Sequence, residues 1–104
     1  MTWATFVHTL HSIRFEWDPL KAAANLRDHG VAFAEAVTVF TDDYALTRED
    51  PDSFDEQRFV TLGMSATSAL LVVVFTLREP DIYRPISACK ANKPQRRLYE
   101  KNRR

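Results

Sequence analysis

Cysteine is nearly missing from this chain. Cys89 stands alone, so no internal disulfide and no cysteine-built zinc cluster can form. Long apolar runs are missing too. The longest, Ala69 to Phe75, falls far short of a membrane-crossing helix and reads as a buried strand. The opening MTWATFVHTLHSIR lacks a basic start followed by an apolar core, which argues against a secretory signal. His8 and His11 lie three apart with no third ligand in sight, which argues against a metal site. Repeats and low-complexity tracts do not occur. These absences argue against a disulfide scaffold, a helical membrane protein and a cofactor-bearing metalloprotein. They leave one cytoplasmic domain of 104 residues with an ordinary hydrophobic content of 45%.

Net charge is zero, but the balance hides a split. Met1 to Tyr83 carries six basic and thirteen acidic residues, and Arg84 to Arg104 carries eight basic residues and the single acid Glu100. A basic end on an acidic chain suggests contact with a polyanion. The plainer alternative is a solvated helix that balances the acidic body.

The pattern along the chain predicts an α+β domain. Ile13 to Trp17 alternates apolar and polar residues, as a short strand does. Asp18-Pro19 reads as a helix start, because Asp caps free amides and Pro at the first helical position loses no bond. Leu20, Ala23, Ala24 and the stem of Arg27 form the expected inward stripe, and His29-Gly30 the end of that helix. Phe33, Val37 and Phe40 recur at helical spacing, predicting a second short helix over Ala34 to Phe40. Tyr44 to Thr47 is a candidate strand, and the acidic stretch Glu49 to Glu56 a loop. Gln57 to Met64, Ala69 to Thr76 and Ile82 to Ala88 are three more strands. Pro85 marks the last of them as an edge strand or a bulged one. Asn92 to Arg104 is a basic helix with only Leu98 and Tyr99 to anchor it, so loose docking is expected.

FEWDPLKAAANLRDHGVAF, continued by EAVTVF, resembles the opening block of the BrnT toxins of bacterial type II toxin–antitoxin pairs. EQRFVTLGMS, LLVVVFTLRE and YRPISACKAN resemble that family's strand blocks, and RRLYE the start of its terminal helix. The resemblance covers Phe15 to Glu100 and implies a RelE-like fold. That fold has two N-terminal helices packed on a three- to four-stranded antiparallel sheet, with a basic C-terminal helix. Residues 1–14 then form an N-terminal extension and residues 15–104 the toxin domain. The resemblance also implies an endoribonuclease that is silenced by a BrnA-type antitoxin and reaches operator DNA only through the antitoxin complex. Two positions depart from the family pattern: Cys89 stands where Arg is usual, and Pro85 where an apolar β-former is usual. The first motivates an alternative, a BrnT-like binding module or co-repressor without catalysis. The shared fold allows another, a ParE-like toxin acting on a protein target.

RNA can be cut without metal when its ribose 2′-OH attacks the neighbouring phosphate. The protein must supply a base, cations for the developing charge, and an acid for the leaving oxygen. Arg58, Arg78 and Arg84 lie on successive strand candidates and can converge on one sheet face, where their forks match phosphate oxygens. Each taken singly could instead be a surface arginine, for instance Arg58 paired with Asp55 or Glu56. Lys21, one helical turn from Asn25, and Lys90, after the last strand, are further cations that could hold a phosphate or carry a proton. Lys21 could equally be a solvated residue beside Glu16 or Asp18. His29 is the acid–base candidate by chemistry, although at a helix end it can simply serve the last carbonyls. Lys93, Arg96, Arg97 and Tyr99 on the terminal helix are candidates for RNA binding, Tyr99 by stacking. Glu16 and Asp18 flank Trp17; they could do acid–base work, but Asp18 is better explained as the cap. Trp17, Phe33 and Phe40 read as core, and Cys89 as a small buried filler.

Overall fold

The computed structural model describes residues 6–10, 13–51, 56–78 and 81–103. The chain runs β1 (Phe6–Leu10), β2 (Ile13–Trp17), α1 (Pro19–His29), α2 (Phe33–Ala36) continuing as a 3₁₀ turn (Val37–Thr41), β3 (Leu46–Glu49), β4 (Phe59–Met64), β5 (Leu70–Arg78), β6 (Ile82–Lys90) and α3 (Lys93–Asn102). The six strands form one sheet in the order β1-β2-β6-β5-β4-β3. Among the described residues, no helix is long and apolar enough to cross a membrane. His11, Asp52 to Asp55 and Arg104 lie outside the described residues, as does the side chain of His8.

The architecture is α+β as expected, but the sheet is larger and not wholly antiparallel. Phe6–Leu10, ahead of the first expected strand, pairs antiparallel with β2. β2 then pairs parallel with β6, through Arg14↔Ile82 and Phe15↔Tyr83. The two helical segments between β2 and β3 carry the chain across one face, which is what a parallel pairing requires. Pro85 therefore sits in a central strand, not at an edge. A register shift makes this possible: Val74 faces Ser87 while Phe75 faces Pro85, leaving Ile86 as an extra residue. The β2 pairing stops at Tyr83, so the proline's missing N–H costs no bond on that side.

Strand alternation gives the sheet two different faces. Phe15, Trp17, Val73, Leu71 and Ala88 point to one face and pack with Val31, Phe33, Ala36, Val37 and Val39 in the main core. Phe40, Phe75, Tyr83 and Phe15 form a chain of edge-on and stacked rings here, with centroids 4.9 to 5.7 Å apart. Gly63 lies under this layer because a Cβ would come within 3.1 Å of the Val39 and Ala45 Cβ atoms.

Helix α1 starts and stops as its sequence dictates. Asp18 Oδ1 accepts from Leu20 N at 2.8 Å, and Gly30 takes φ +69° and donates to Leu26 O. Its inward side is a correction to the expected stripe. Leu20 is 75% exposed and Ala23 also faces solvent, while the buried residue is Asn25. Asn25 Nδ2 donates to Val31 O and Ala88 O, each at 2.9 Å, and Oδ1 accepts from Ala88 N at 3.0 Å. Beyond Tyr83 no β2 residue pairs with β6, and the Asn25 amide takes that neighbour's place.

Helix α3 crosses the other face, at the end where Leu62, Leu70 and Tyr99 form a small second core. It is better held than expected. Asn92 and Gln95 make a reciprocal capping box. Tyr99 is 2% exposed, and its hydroxyl donates to Asp42 Oδ2 at 2.6 Å. Asn102 Nδ2 donates to Tyr44 O, and the Arg103 guanidinium lies over the Tyr44 and Tyr99 rings. Leu98, expected as an anchor, is mostly exposed instead.

Candidate active site

Among the described residues, no helix covers the face opposite the main core beyond α3, and register decides what stands on it. Arg84 on β6 is the partner of Thr76 on β5. Phe59 is the partner of Phe75, so the next position out sets Arg58 beside Thr76, where Arg58 O still accepts from Asp50 N. On the far side, parallel pairing of Phe15 with Tyr83 sets Glu16 beside Arg84. One row across the sheet therefore reads Glu16, Arg84, Thr76, Arg58. The next row reads Arg14, Ile82, Arg78, from Arg14↔Ile82 and Arg78↔Ile82.

Three of the expected residues, Arg58, Arg78 and Arg84, thus share one face by strand alternation. Arg84 and Glu16 are each about one quarter exposed, with Nη1 to Oε1 at 3.9 Å. Arg78 Nε lies 3.8 Å from Glu56 Oε2, and both of these side chains are about half exposed. These separations exceed a hydrogen bond, so neither guanidinium fork is locked onto its carboxylate. Between the arginines the Thr76 side chain is 1% exposed. Its Oγ1 is the buried side-chain polar atom left without a hydrogen-bond partner among the described residues. A buried hydroxyl with no partner costs roughly 1–3 kcal/mol, so its place in the row calls for an explanation.

The other expected catalytic residues lie elsewhere. Lys21 and His29 are exposed on α1, where they line a shallow cleft with Asn25, Asp28, Ile86 and Ser87 on the helix side of the sheet. Lys90 is the partner of Leu71, whose side chain belongs to the main core, so alternation turns Lys90 away from the arginine face. The six catalytic candidates therefore do not form one site. Lys21 and Asn25 do share one side of α1, as their spacing implied, though one is exposed and the other buried.

Lys93, Arg96 and Arg97 are exposed on α3, available to a polyanion. Tyr99 is not a stacking platform, because its ring is buried and its hydroxyl is spent on Asp42. Burial pushes the Tyr99 hydroxyl up, and the Asp42 carboxylate adds to this, to about 12 from 10.0. Burial alone would raise the Asp42 carboxyl. Donation from Tyr99, Met64 N and Tyr44 N, with Arg103 nearby, outweighs it and holds the group below 3.8. Cys89 is the partner of Val72 and half-buried on the open face.

Arg14 and Thr76 join this face without having been singled out, and Glu16, weighed as half of a carboxylate pair with Asp18, joins it without Asp18. Their signal in the sequence was weak, because it depends on β2 pairing with β6 across most of the chain length.

The family model for the "ribonuclease toxin, BrnT, of type II toxin-antitoxin system" matches residues 17–94. The chain belongs to the BrnT family. Among solved structures, it is similar to the crystal structure of the Brucella abortus ribonuclease toxin BrnT. The likeness covers 74% of this chain and 94% of that one, with 22% sequence identity and a TM-score of 0.56. At that identity it establishes a BrnT-like fold. Comparison with curated proteins gives no match. Membership of a type II toxin–antitoxin family implies an antitoxin as partner.

Proposed function

We propose that this BrnT-family chain is an endoribonuclease toxin that cuts RNA on the open face of its sheet, by 2′-OH attack and without a metal ion. The observation that carries the reading is the row in which Arg84 and Arg58 flank the unpartnered Thr76 hydroxyl, with Arg78 one pleat away. Arginine forks suit the non-bridging oxygens of a phosphate whose charge grows as the 2′-oxygen bonds to it. Lys93, Arg96 and Arg97 on α3 would hold the flanking strand through its phosphates.

A BrnA-type antitoxin is the proposed silencing partner, and operator DNA is reached only through that complex. Beside the arginine row, a groove of about 360 Å³ is lined by Leu46, Arg48, Val60, Leu62, Val72 and Leu98. Apolar residues left open in this way suit a protein partner. An occupant there would lie across the approach to Arg58 and would exclude RNA.

The test is induction of this chain alone in bacteria beside an Arg84→Ala control, with growth and total RNA followed over minutes. Growth arrest with RNA decay, both lost in the variant, is the expected result. Normal growth with intact RNA, from a well-expressed and folded chain, would overturn the enzymatic reading in favour of a partner-binding role. Arrest with DNA damage and intact RNA would replace it with a toxin acting on a protein target.

A further inference from the structure

We infer that Glu16 is the proton acceptor for the attacking ribose 2′-hydroxyl, an assignment that rests on the RNA-cleavage reading above. Cleavage of this kind needs a base beside the cations, and strand pairing brings one carboxylate on a sheet strand into the arginine row. Glu16 follows Phe15, whose parallel pairing with Tyr83 places it beside Arg84. Its Oε1 stands 3.9 Å from Arg84 Nη1, and its side chain is 26% exposed, so it is reachable yet partly desolvated. At that distance the ion pair leaves the carboxylate oxygens with lone pairs for an incoming hydroxyl. The arginine that would bind the phosphate is thus the one that holds the base, which fixes base and phosphate a few ångströms apart.

Its nearest charged neighbours on the sheet are cations. Arg84 faces it from β6, Arg14 stands two residues back on its own strand, and Arg78 lies one row away on β5. Asp18, two residues ahead, is turned to the α1 N-terminus as its cap. The β1 partner of Glu16 is Val7, which carries no charge. Glu56, the carboxylate beside Arg78, sits on connecting chain before β4 and is half exposed, so the sheet does not position it.

The step balances without a co-reactant other than water. The 2′-hydroxyl gives its proton to Glu16 as its oxygen bonds to phosphorus and the bond from phosphorus to the 5′-oxygen breaks. The departing 5′-oxygen takes a proton from water, and Glu16 returns its proton to the hydroxide so formed. The products are a 2′,3′-cyclic phosphate end and a 5′-hydroxyl end.

The experiment measures single-turnover cleavage of a fluorescent single-stranded RNA oligonucleotide by the purified full chain across acidic to neutral pH. It compares the wild type with Glu16→Gln and Glu16→Asp, each checked for its thermal midpoint. The wild-type rate should rise with unit slope on the acid side and then level. Glu16→Gln should lose that acid limb and fall by about 10²- to 10⁴-fold in rate with little change in KM. Glu16→Asp should keep the limb at a reduced rate, which also tests the assignment should the Gln variant fail to fold. A Glu16→Gln enzyme that keeps the wild-type acid limb, or changes in KM alone, would overturn the assignment and reduce Glu16 to a support for Arg84. The same holds for Glu16→Asp losing the limb while staying folded. Wild-type protein that leaves no cyclic phosphate end would instead bring down the RNA-cleavage reading itself.

Discussion

Replacing Asn25 by Ala removes the buried side chain that hydrogen-bonds α1 to the central strand carrying Arg84. Three hydrogen bonds disappear, two donated by Nδ2 to Val31 O and Ala88 O and one accepted by Oδ1 from Ala88 N. At about 1 kcal/mol net for each, the loss is roughly 3 kcal/mol. Val31 and Ala88 are each 1% exposed, so water cannot readily replace the lost partners, and the figure should lie at or above that value. For a small domain with a urea m-value of about 1.5 kcal/mol/M, the unfolding midpoint falls by about 2 M. Urea denaturation followed by circular dichroism reads this directly. A midpoint within about 0.5 M of wild type, with unchanged m, would refute the view that Asn25 stands in for a missing strand. Asn25→Asp separates the roles further. Its carboxylate can still accept from Ala88 N, but its second oxygen faces two carbonyls. Its folded pKa should therefore be raised, so that stability is best in acid and is lost as pH rises through the folded value.

Tyr99→Phe should cost about 1.5 kcal/mol and loosen α3, seen as faster amide exchange over Lys93–Asn102, because a bond to an ionised carboxylate is lost. Unchanged exchange would show that the helix is held by other contacts. In the wild type, Asp42 lies below 3.8, so its contribution is complete above that pH and is lost as pH falls through the folded value. Tyr99 sits at about 12 against 10.0, so its contribution is present below pH 10 and is lost as pH rises toward 12. Flat stability at both extremes would contradict these directions. Gly63→Ala should destabilise by about 1–3 kcal/mol in a thermal melt, since its Cβ would press on Val39 and Ala45 at 3.1 Å. No loss would mean that the 3₁₀ turn gives way easily.

Local signals in the sequence were dependable where a single turn or strand decides the outcome. Asp18-Pro19 and His29-Gly30 bound α1, and Asn92 begins α3, because caps act within a few residues. The buried run from Ala69 gave β5, central in the sheet. What could not be read depends on partners far apart in the chain. Pro85 suggested an edge or a bulge, and only pairing with both β2 and β5 shows the strand to be central and bulged. Leu20 looked inward by composition, yet the helix docks through Asn25, whose partners are backbone groups on β6. That Arg58, Arg78 and Arg84 could converge was legible from their places on successive strands, although the extra residue Ile86 is what turns Arg84 to their face. The places of Glu16, Arg14 and Thr76 beside them were not legible, because they require the parallel β2–β6 register.

The most direct test of an arginine-based cleavage face is single-turnover RNA cleavage by purified protein in EDTA, for wild type, Arg84→Ala and Arg84→Lys. Wild-type cleavage should persist in EDTA. Arg84→Ala should lose about 10²- to 10³-fold in rate, with Lys recovering only part because it lacks the fork. Cleavage abolished by EDTA in the wild type, or an Arg84→Ala enzyme as fast as wild type, would contradict it.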